Sequence, residues 1–344
     1  MSEKTTMFGA VYRRENDLGI AEIKEIPIPA VKHADDVLIK VEAVSICGTD
    51  IRSLANPPAF FFKDDIVIGH EFAGIVTEIG QDVTNCKLGD KVVVHPNIWC
   101  GKCPSCRSGH TNQCDNFQHI GDRIDGALAE YICVPEKMVY TISHDVPSHL
   151  ACLTEPLGCV LNATTTIKAH PGEDVVILGG GPIGLIFAMI YKASGTRVFV
   201  SEPSEYRRQL AMDIGVDGVI NPITHDLNVE LRKIAPLGAD IVVDAVGVLL
   251  PDAMKVAKKG GRIAVFGINQ SAQVSLNEFP ITEKELEIHG AYITKGTFPL
   301  AIKLIESGIL PLEKIVTHRL PFKDFMQGVE LMRSGLGSKV VVEI

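Results

Sequence analysis

Residues 174–185 read DVVILGGGPIGL, and this stretch decides the fold of the second half of the chain. The apolar run Asp174–Leu178 predicts a buried strand, and the apolar residues after the glycines predict a helix. The glycines between them fit the pattern G-x-G-x-x-G, which is weak alone but specific between a strand and a helix. Here Gly179 permits the tight turn, Gly181 lets a pyrophosphate approach the backbone, and Gly184 lets the helix pack close to the strand. We therefore predict a dinucleotide-binding turn, with cofactor contacts from Gly179, Gly181, Pro182, Ile183 and Gly184.

Strand-like and helical stretches alternate regularly around this turn, from about residue 171 to residue 293. The candidate strands are Asp174–Leu178, Arg197–Glu202, Gly218–Ile220, Asp240–Asp244, Arg262–Gly267 and Glu287–Tyr292. Helical runs such as Ser204–Ile214 lie between them. Strands joined by helical crossovers are typical of a doubly wound parallel sheet, the Rossmann arrangement. The predicted fold class is therefore α/β.

A carboxylate stands at the end of the second predicted strand. Glu202 follows Gly184 by eighteen residues, and an acidic side chain in this place can accept both hydroxyls of an adenosine ribose. It would also repel a 2′-phosphate, which favours NAD over NADP. Arg207 and Arg208 lie nearby, and an arginine can accommodate a 2′-phosphate, stack on adenine or occupy an exposed helix face. We predict NAD as the cofactor, with Glu202 and Arg207 as contacts.

The first part of the chain has a different residue pattern. Short β-branched runs alternate there with clusters of Gly, Pro and Asn, which predicts a β-rich, irregular domain. These runs are Asp36–Ala43, Phe72–Glu78, Lys91–His95 and Ala129–Val134. The tail carries helix-like runs at Phe298–Ser307 and Phe322–Ser334 and a final strand, Lys339–Ile344, which we expect to pack back on the first domain. The expected domains are residues 1–155 with 295–344, and residues 156–294.

Four closely spaced cysteines mark the β-rich part. Cys100, Cys103, Cys106 and Cys114 are separated by two, two and seven residues. Thiolates this close can surround one soft cation, and four sulfurs in a tetrahedron are a preferred structural-zinc geometry. With every position filled by sulfur, such a zinc has no place for a substrate. We therefore predict a structural zinc lobe here and expect the catalytic metal elsewhere.

Two other interpretations of the four cysteines are open. In the bacterial iron–sulfur pattern, three residues separate the last two cysteines and a proline follows the last one. Here seven residues separate Cys106 from Cys114, and Asp115 follows. Disulfides belong mainly to secreted chains, and the N-terminal residues MSEKTTMFGA lack the apolar region and cleavage site of a signal peptide. We expect a cytoplasmic chain, whose thiols stay reduced, and this favours a metal.

Composition narrows the class of protein. A length of 344 residues suggests about two domains. The 46% hydrophobic and 22% charged residues are ordinary for a soluble globular protein, and the net charge of −9 argues against a nucleic-acid partner. The apolar stretch 175–190 is interrupted by glycines and a proline and is shorter than the ~20 residues of a membrane helix. We expect a small-molecule substrate and no membrane partner.

Three further segments of the β-rich part carry metal-ligand side chains. Cys47 precedes Gly-Thr-Asp, His70 and Glu71 lie at the start of GHEFAGIVTEIG, and Glu155 lies in LTEPLG. Cysteine, histidine and carboxylate are competent zinc ligands, and a catalytic site takes three of them and leaves one position open. Taken singly, each has a plainer explanation: a lone cysteine is usually core, and a lone His-Glu pair is usually a satisfied polar group.

The order of these motifs resembles a known family. CGTD at residues 47–50, the pattern GHExxGxxxxxG at 69–80, the four-cysteine lobe and the glycine-rich turn follow one another as in the zinc-dependent medium-chain dehydrogenases. The resemblance covers essentially the whole chain and implies a GroES-like catalytic domain beside the Rossmann domain. LTEPLG at 153–158 and SEPSEYRR at 201–208 are similar to the sorbitol and L-threonine dehydrogenase branch. IGDRIDGALAEY at 120–131 is similar to galactitol-1-phosphate dehydrogenases.

The resemblance implies two zinc ions per chain and a nicotinamide cofactor. The catalytic zinc would be held by Cys47, His70 and a carboxylate from Glu71 or Glu155, between which the sequence does not decide. In such enzymes the zinc polarises the substrate hydroxyl and a hydride passes to the nicotinamide. Thr49 matches the residue that takes the hydroxyl proton, although a turn hydroxyl bonded to its own backbone is the plainer role. Relatives are commonly dimers or tetramers, and we expect a homotetramer or a homodimer.

Three positions bear on the substrate. Relatives commonly carry a proton-relay histidine where this chain has Arg52, which stays protonated and cannot act as a base. The proton must then leave through water, with help from Glu71 or Glu155, or Arg52 recognises an anionic group. Arg123 is a second candidate for an anionic substrate, although both arginines also suit cofactor or surface contacts. L-Threonine dehydrogenases carry a histidine where we align Asn97, which weakens the case for an amino-acid substrate.

The predicted reaction is hydride transfer from a secondary alcohol to NAD, giving the ketone. The predicted substrate is a polyol, a sugar alcohol or a sugar derivative, phosphorylated or not. The alternatives are an L-threonine 3-dehydrogenase and, far less favoured, a non-catalytic NAD-binding protein. Other histidines, such as His95 and His119, are expected to be structural. The specific substrate lies beyond the sequence, because a family branch constrains the reaction type better than the substrate.

Overall fold

The structure, a computed structural model, describes residues 5–270 and 272–344. These residues form two compact units, each with its own hydrophobic core. The first unit comprises residues 5–158, Thr294–Ser307 and Val316–Ile344. The second comprises Cys159–Ile293 and Gly308–Ile315 apart from residue 271. Residues 1–4 of the expected first domain lie outside the described residues.

The elements of the first part of the chain are β1 Thr6–Glu15, β2 Leu18–Pro27, β3 Asp36–Ser45, α1 Gly48–Ser53, β4 Ile66–Val67, β5 Glu71–Ile79, β6 Lys91–Val94, β7 Asn97–Ile98, α2 Pro104–Arg107, β8 Gln118–His119, β9 Tyr131–Pro135, β10 Val139–Thr141, α3 Ser148–Ala151 and α4 Thr154–Thr166. The later elements are β11 Asp174–Leu178, α5 Pro182–Ala193, β12 Arg197–Ser201, α6 Glu205–Asp213, β13 Gly218–Ile220, α7 Leu227–Ile234, β14 Ala239–Asp244, α8 Leu250–Val256, β15 Ala257–Val265, α9 Phe279–Lys284, β16 Glu287–Gly290, α10 Phe298–Ser307, β17 Val316–Pro321, α11 Phe325–Arg333 and β18 Lys339–Glu343. Short 3₁₀ turns lie at Thr111–Gln113, Glu136–Met138, Leu312–Ile315 and Phe322–Asp324.

The first unit is built on a sheet in which β3 is central. The strand order is β10–β6–β5–β3–β18–β17, with β9 also paired to β3. The β3 sequence DVLIKVEAVS is almost wholly buried, as expected for a strand with neighbours on both edges and core packed against it. A second sheet has the order β2–β1–β4, and β7 and β8 form a short antiparallel pair. The prediction of a β-rich first domain is confirmed.

The second unit contains the predicted parallel sheet. Its strand order is β13–β12–β11–β14–β15–β16, and each neighbouring pair is parallel. Numbered within the unit, this is the order 3-2-1-4-5-6 of the Rossmann fold, with the change of direction between β11 and β14. The valines and isoleucines of β11 and β14 are buried because helices cover both faces of such a sheet. The prediction of an α/β Rossmann domain is confirmed.

The tail of the chain departs from the expected division. The sequence assigned all of residues 295–344 to the first domain, whereas Gly308–Ile315 belongs to the second unit. The 3₁₀ turn Leu312–Ile315 packs against α5 and α6, and the Lys314 Nζ donates to the Asp213 carbonyl oxygen at 2.5 Å. The boundary between the units follows Gly158, inside α4 and three residues later than expected. A segment this short has no hydrophobic periodicity from which its unit could be predicted.

Within residues 5–270 and 272–344, no helix combines the length and apolarity needed to cross a bilayer.

Candidate active site

The end of the central strand β3 brings three metal-ligand side chains together. Cys47 follows β3, and His70 and Glu71 stand at the start of β5, which pairs with β3. One ligand atom from each of Cys47, His70 and Glu71 lies within 4.8 Å of the others. These residues are far apart in sequence and meet because Ser45 and Glu71 face each other in the antiparallel register. We call this group the metal cluster.

Local backbone geometry holds the metal cluster in place. The Cys47 N–H donates to the Asp50 carboxylate at 2.9 Å, which fixes the first turn of α1. Just before His70, Gly69 has a φ of +93°, and a Cβ there would lie 3.0 Å from the Leu128 backbone nitrogen. Glycine adopts this conformation without steric cost. The glycine of the GHE motif therefore turns the chain so that His70 enters the cluster.

His70 is buried among groups that can carry negative charge. Its Nδ1 lies 3.9 Å from Asp50 Oδ1, and both side chains are 5% exposed. Burial lowers the pKa of His70, but Cys47, Asp50 and Glu155 together raise it well above its ordinary value. Burial also raises the pKa of Asp50, although the charge of His70 opposes this effect. A thiol, an imidazole and carboxylates in one buried space form a donor set that fits a divalent cation such as zinc.

Glu71 has a partner of opposite charge in the protein. The Lys339 Nζ lies 2.5 Å from Glu71 Oε2, and the two side chains are 3% and 1% exposed. Burial lowers the pKa of Lys339, but the charges of Glu71, Cys47 and Glu155 reverse this effect and raise it. Lys339 was not among the site residues predicted from the sequence. Its only signal in the sequence was its place directly before the three valines of the last strand.

The other predicted residues of the first domain differ in burial. Glu155 is buried in the first turn of α4, close enough for its charge to affect the metal cluster, but it is not part of the group within 4.8 Å. Thr49 and Arg52 are half-buried in α1. Arg123 is exposed, between β8 and β9. The roles of Thr49, Arg52 and Arg123 stay predictions.

A second group of polar side chains adjoins the metal cluster. The His119 ring centroid lies 5.0 Å from that of His70, and the His119 Nδ1 lies 3.2 Å from Asp122 Oδ1. Asn97 is opposite His119 in the β7–β8 pair and is 1% exposed. In the described residues, neither polar atom of the Asn97 side chain has a hydrogen-bond partner. Because cross-strand partners point to the same face, Asn97 and His119 border the same space beside His70.

The four cysteines of the lobe also converge. Their sulfur atoms lie within 4.8 Å of one another, and every cysteine of the chain is a free thiol rather than part of a disulfide. The Cys100 N–H lies 3.3 Å from the Cys114 sulfur, and the Cys103 N–H lies 3.4 Å from the Cys100 sulfur. Backbone N–H groups of Lys102 and Cys103 lower the pKa of Cys100 to about 6. A compact set of sulfurs with N–H donors around it fits a tetrahedral zinc ion.

The glycine-rich turn joins β11 to α5. Gly179 has a φ of +103°, and a Cβ on Gly184 would lie 1.9 Å from the Gly179 carbonyl oxygen, so a side chain is unfavourable at both positions. A Cβ on Gly181 would meet nothing within 4 Å. Gly181 is the N-cap of α5, and Pro182 and Ile183 are its first residues. Open space at a helix N-terminus fits an anionic pyrophosphate.

Glu202 borders a pocket beside this turn. Its Oε2 accepts the Gly180 N–H at 2.7 Å, and its Oε1 accepts the Ser204 N–H at 2.8 Å. The pocket has a volume of about 530 Å³, and Gly179, Glu202 and Arg207 are among its lining residues. The Arg207 Nε is buried and has no hydrogen-bond partner among the described residues. A pocket of this size between a glycine turn and a carboxylate fits the adenosine half of a dinucleotide.

Comparison with known proteins identifies the family. The family model for the alcohol dehydrogenase GroES-like domain matches residues 33–144, and the model for zinc-binding dehydrogenase matches residues 182–307. An L-threonine 3-dehydrogenase from Pyrococcus horikoshii is 37% identical and covers 99% of each chain. Another from Caldanaerobacter subterraneus subsp. tengcongensis is 35% identical, over 94% of this chain and 95% of that protein. This chain belongs to the zinc-binding dehydrogenases.

Solved structures share the architecture of this zinc-binding dehydrogenase. One, a zinc-binding dehydrogenase from Sinorhizobium meliloti 1021 bound to NADP, has a TM-score of 0.90 at 30% identity over 98% of this chain and 99% of that one. A second, an alcohol dehydrogenase from Escherichia coli CFT073 complexed with NADH, has a TM-score of 0.91 at 27% identity over 99% and 100%. A third, galactitol-1-phosphate dehydrogenase from Escherichia coli, has a TM-score of 0.89 at 26% identity over 98% and 100%.

The family assignment confirms the resemblance to zinc-dependent dehydrogenases that the motifs indicated. In this zinc-binding dehydrogenase, the ligand atoms converge within each of two predicted groups, the metal cluster and the four-cysteine lobe. It also reveals polar residues around the metal cluster to which the sequence analysis assigned no role. Lys339, Asp50 and Asp122 belong to this set. Asp50 and Asp122 lie inside the quoted motifs CGTD and IGDRIDGALAEY, whereas Lys339 lies in no quoted motif.

Proposed function

We propose that this zinc-binding dehydrogenase oxidises a secondary alcohol that carries a second polar group on the neighbouring carbon, and that it passes the hydride to NAD. The observation that carries the proposal is the convergence of half-buried Cys47 with buried His70 and Glu71. The same chain holds a glycine-rich turn with open space at a helix N-terminus. A metal position and a dinucleotide position are the two parts that zinc-dependent hydride transfer requires.

Two zinc positions belong to the proposal. Cys47, His70 and a carboxylate from Glu71 or Glu155 would hold the catalytic zinc and leave one position open for the substrate oxygen. Zinc held there would act as a Lewis acid that lowers the pKa of the substrate hydroxyl. The four cysteines of the lobe would hold a structural zinc with no open position.

Side chains of the protein must carry the hydroxyl proton away. Thr49 lies in the first turn of α1, two residues after Cys47, and we assign it as the group that accepts this proton. Arg52, in the last turn of the same helix, cannot continue the relay because a guanidinium stays protonated. The proton therefore leaves through water, beside the carboxylates that surround the metal cluster.

NAD is the proposed cofactor because of the electrostatics around Glu202. Both oxygens of this buried carboxylate accept backbone N–H groups, which keeps it in place beside the pocket. A 2′-phosphate would meet this negative charge, whereas ribose hydroxyls can donate to it. Among similar structures one holds NADP and another holds NADH, so the preference rests on Glu202 of this chain.

The relatives favour L-threonine as the first substrate to test. The two relatives described above are named for that activity and align with nearly the whole chain. A polyol, which the sequence motifs favoured, is the second candidate. The likeness to galactitol-1-phosphate dehydrogenase supports it, as does the uncharged amide of Asn97 beside His119. L-Threonine and galactitol 1-phosphate each carry a secondary hydroxyl next to another polar substituent, so the general proposal covers both.

A substrate panel tests the proposal. The zinc-loaded protein and NAD are mixed with L-threonine, galactitol 1-phosphate, sorbitol or butan-2-ol, the last of which lacks a neighbouring polar group. We expect NADH formation with at least one of the first three, and a kcat/KM at least about tenfold lower with butan-2-ol. Replacement Cys47→Ser should abolish the reaction and leave the fold intact. A failure to form NADH with every member of the panel would overturn the proposal.

The remaining parts of the proposal concern assembly and location. We propose a homodimer or homotetramer, which light scattering on the purified protein would test, and a cytoplasmic location. The non-catalytic alternative predicts zinc in the four-cysteine lobe alone. A zinc determination therefore separates that alternative from the enzyme.

A further inference from the structure

A buried lysine lies among the anionic side chains of the metal cluster. Lys339 is 2% exposed, and its Nζ lies 2.5 Å from Glu71 Oε2. Lysine is almost never fully buried unless it is paired with an opposite charge. The position of this lysine therefore needs an explanation in terms of the cluster.

The register of the sheet explains how Lys339 reaches Glu71. Val341 of β18 and Glu71 of β5 both pair with Ser45 of β3, so the three strands lie side by side at this end of the sheet. Lys339 is two residues from Val341 along the same strand and therefore points to the same face. Lys339 and Glu71 thus approach each other over β3, from strands on its two sides.

We propose that Lys339 is the internal counter-cation of the metal cluster, a positioning residue that acts through Glu71. In the metal-free protein its ammonium balances the Glu71 carboxylate and keeps the cluster assembled. When the cluster holds zinc, the same ammonium opposes the added positive charge and withholds part of the Glu71 charge from the metal. The lysine therefore weakens metal binding while it preserves the Lewis acidity on which the proposed reaction depends. The inference rests on the proposed function, because that proposal places zinc in the cluster.

A plain structural role makes a different prediction. If Lys339 only ties β18 to β5, its removal lowers stability equally in the metal-free and the zinc-loaded protein. The zinc affinity would then stay unchanged or fall as the cluster loosens. A counter-cation role predicts the opposite sign, because removing a positive charge beside a cation site raises the affinity for a cation.

The test is a zinc titration of the metal-free Lys339→Met variant against a chromophoric chelator. Methionine has a similar length and no charge. We expect the dissociation constant of the metal cluster to fall at least about tenfold, because a like charge has been removed. The four-cysteine lobe of the same chain is the internal control and should keep its wild-type affinity. The rise in Tm on adding zinc should also be larger than in wild type, whereas Lys339→Arg should keep both quantities near wild type.

Each other outcome also decides the matter. An unchanged or weaker zinc affinity of the cluster in Lys339→Met would overturn the inference. If that variant does not fold, the same titration is made on Lys339→Gln, whose amide carries no charge but can still donate to the buried Glu71 carboxylate. Failure of Lys339→Gln to fold as well would show that the lysine is needed for packing, which would overturn the inference. The readout is metal affinity rather than turnover, so an inactive protein that passes this test contradicts the proposed reaction alone.

Discussion

The Glu202 Oε2 accepts the Gly180 N–H at 2.7 Å, so the carboxylate after β12 is bonded to the glycine-rich turn after β11. The two strands are parallel neighbours, and their carboxyl ends meet at the same edge of the sheet. The turn that would bind the pyrophosphate and the residue that would select the ribose are thus held together directly. In the proposed function, the cofactor preference therefore depends on one carboxylate.

Replacement Glu202→Ala is expected to relax the preference for NAD. Loss of the negative charge removes the repulsion of a 2′-phosphate, so the ratio of kcat/KM for NADP to that for NAD should rise at least about tenfold. Initial rates with both cofactors give this ratio. Glu205→Ala is the matched control, because Glu205 is on the adjoining helix and 84% exposed. An unchanged ratio in Glu202→Ala would refute the role assigned to Glu202.

Two glycines of the turn should separate folding from cofactor binding. A Cβ on Gly184 would lie 1.9 Å from the Gly179 carbonyl oxygen, so Gly184→Ala should lower the free energy of unfolding by about 3 kcal/mol. A Cβ on Gly181 would meet nothing within 4 Å, so Gly181→Ala should unfold at nearly the wild-type Tm. Its methyl group would nevertheless stand where the pyrophosphate approaches, and NAD affinity should fall. Thermal unfolding and calorimetric titration with NAD check both effects; wild-type NAD affinity in Gly181→Ala would contradict the assignment.

The four-cysteine lobe should lose its zinc in Cys103→Ser. Cys103 is 8% exposed, and replacing one ligand of a four-sulfur site leaves an incomplete tetrahedron. We expect one zinc fewer per chain and a lower Tm, because a structural zinc contributes folding free energy. Cys133→Ser is the control, since Cys133 lies outside both clusters. If Cys103→Ser holds as much zinc as wild type, the structural-zinc assignment fails.

His95 should make the protein sensitive to acid. Burial, and then the charge of His119, lower the pKa of His95 to about 4 from an ordinary 6.5. The folded-state pKa is below the unfolded value, so the unfolded state takes up the proton first. The stability contributed by neutral His95 is therefore fully present above pH 6.5 and is lost as the pH falls towards 4.

A His95→Gln variant isolates this effect. Between pH 7 and pH 4.5, wild type should lose about 2 kcal/mol more unfolding free energy than His95→Gln. Denaturant unfolding of both proteins at a series of pH values measures the difference. Parallel pH profiles would show that His95 is not responsible.

The two halves of the chain differ in how far their sequence could predict them. The second unit was predictable because each of its signals is local: β11, the glycine turn and α5 follow one another within residues 174–193. The metal cluster was not, because the register of β3 and β5, rather than any spacing, brings Cys47 beside His70. Those ligands were predicted from the resemblance to the family instead. Neither a local pattern nor the family resemblance pointed to Lys339. It lies 268 positions from Glu71 in the sequence and reaches it only because β18 pairs with β3.

The zinc content of wild type and of Cys47→Ser, measured per chain by mass spectrometry of the metal, tests the central claim most directly. Because the lobe and the metal cluster share no ligand, the account predicts two zinc ions in wild type and one in Cys47→Ser, with NADH formation lost in the variant. A wild-type protein that holds one zinc, or a Cys47→Ser variant that keeps two and still reduces NAD, would contradict it.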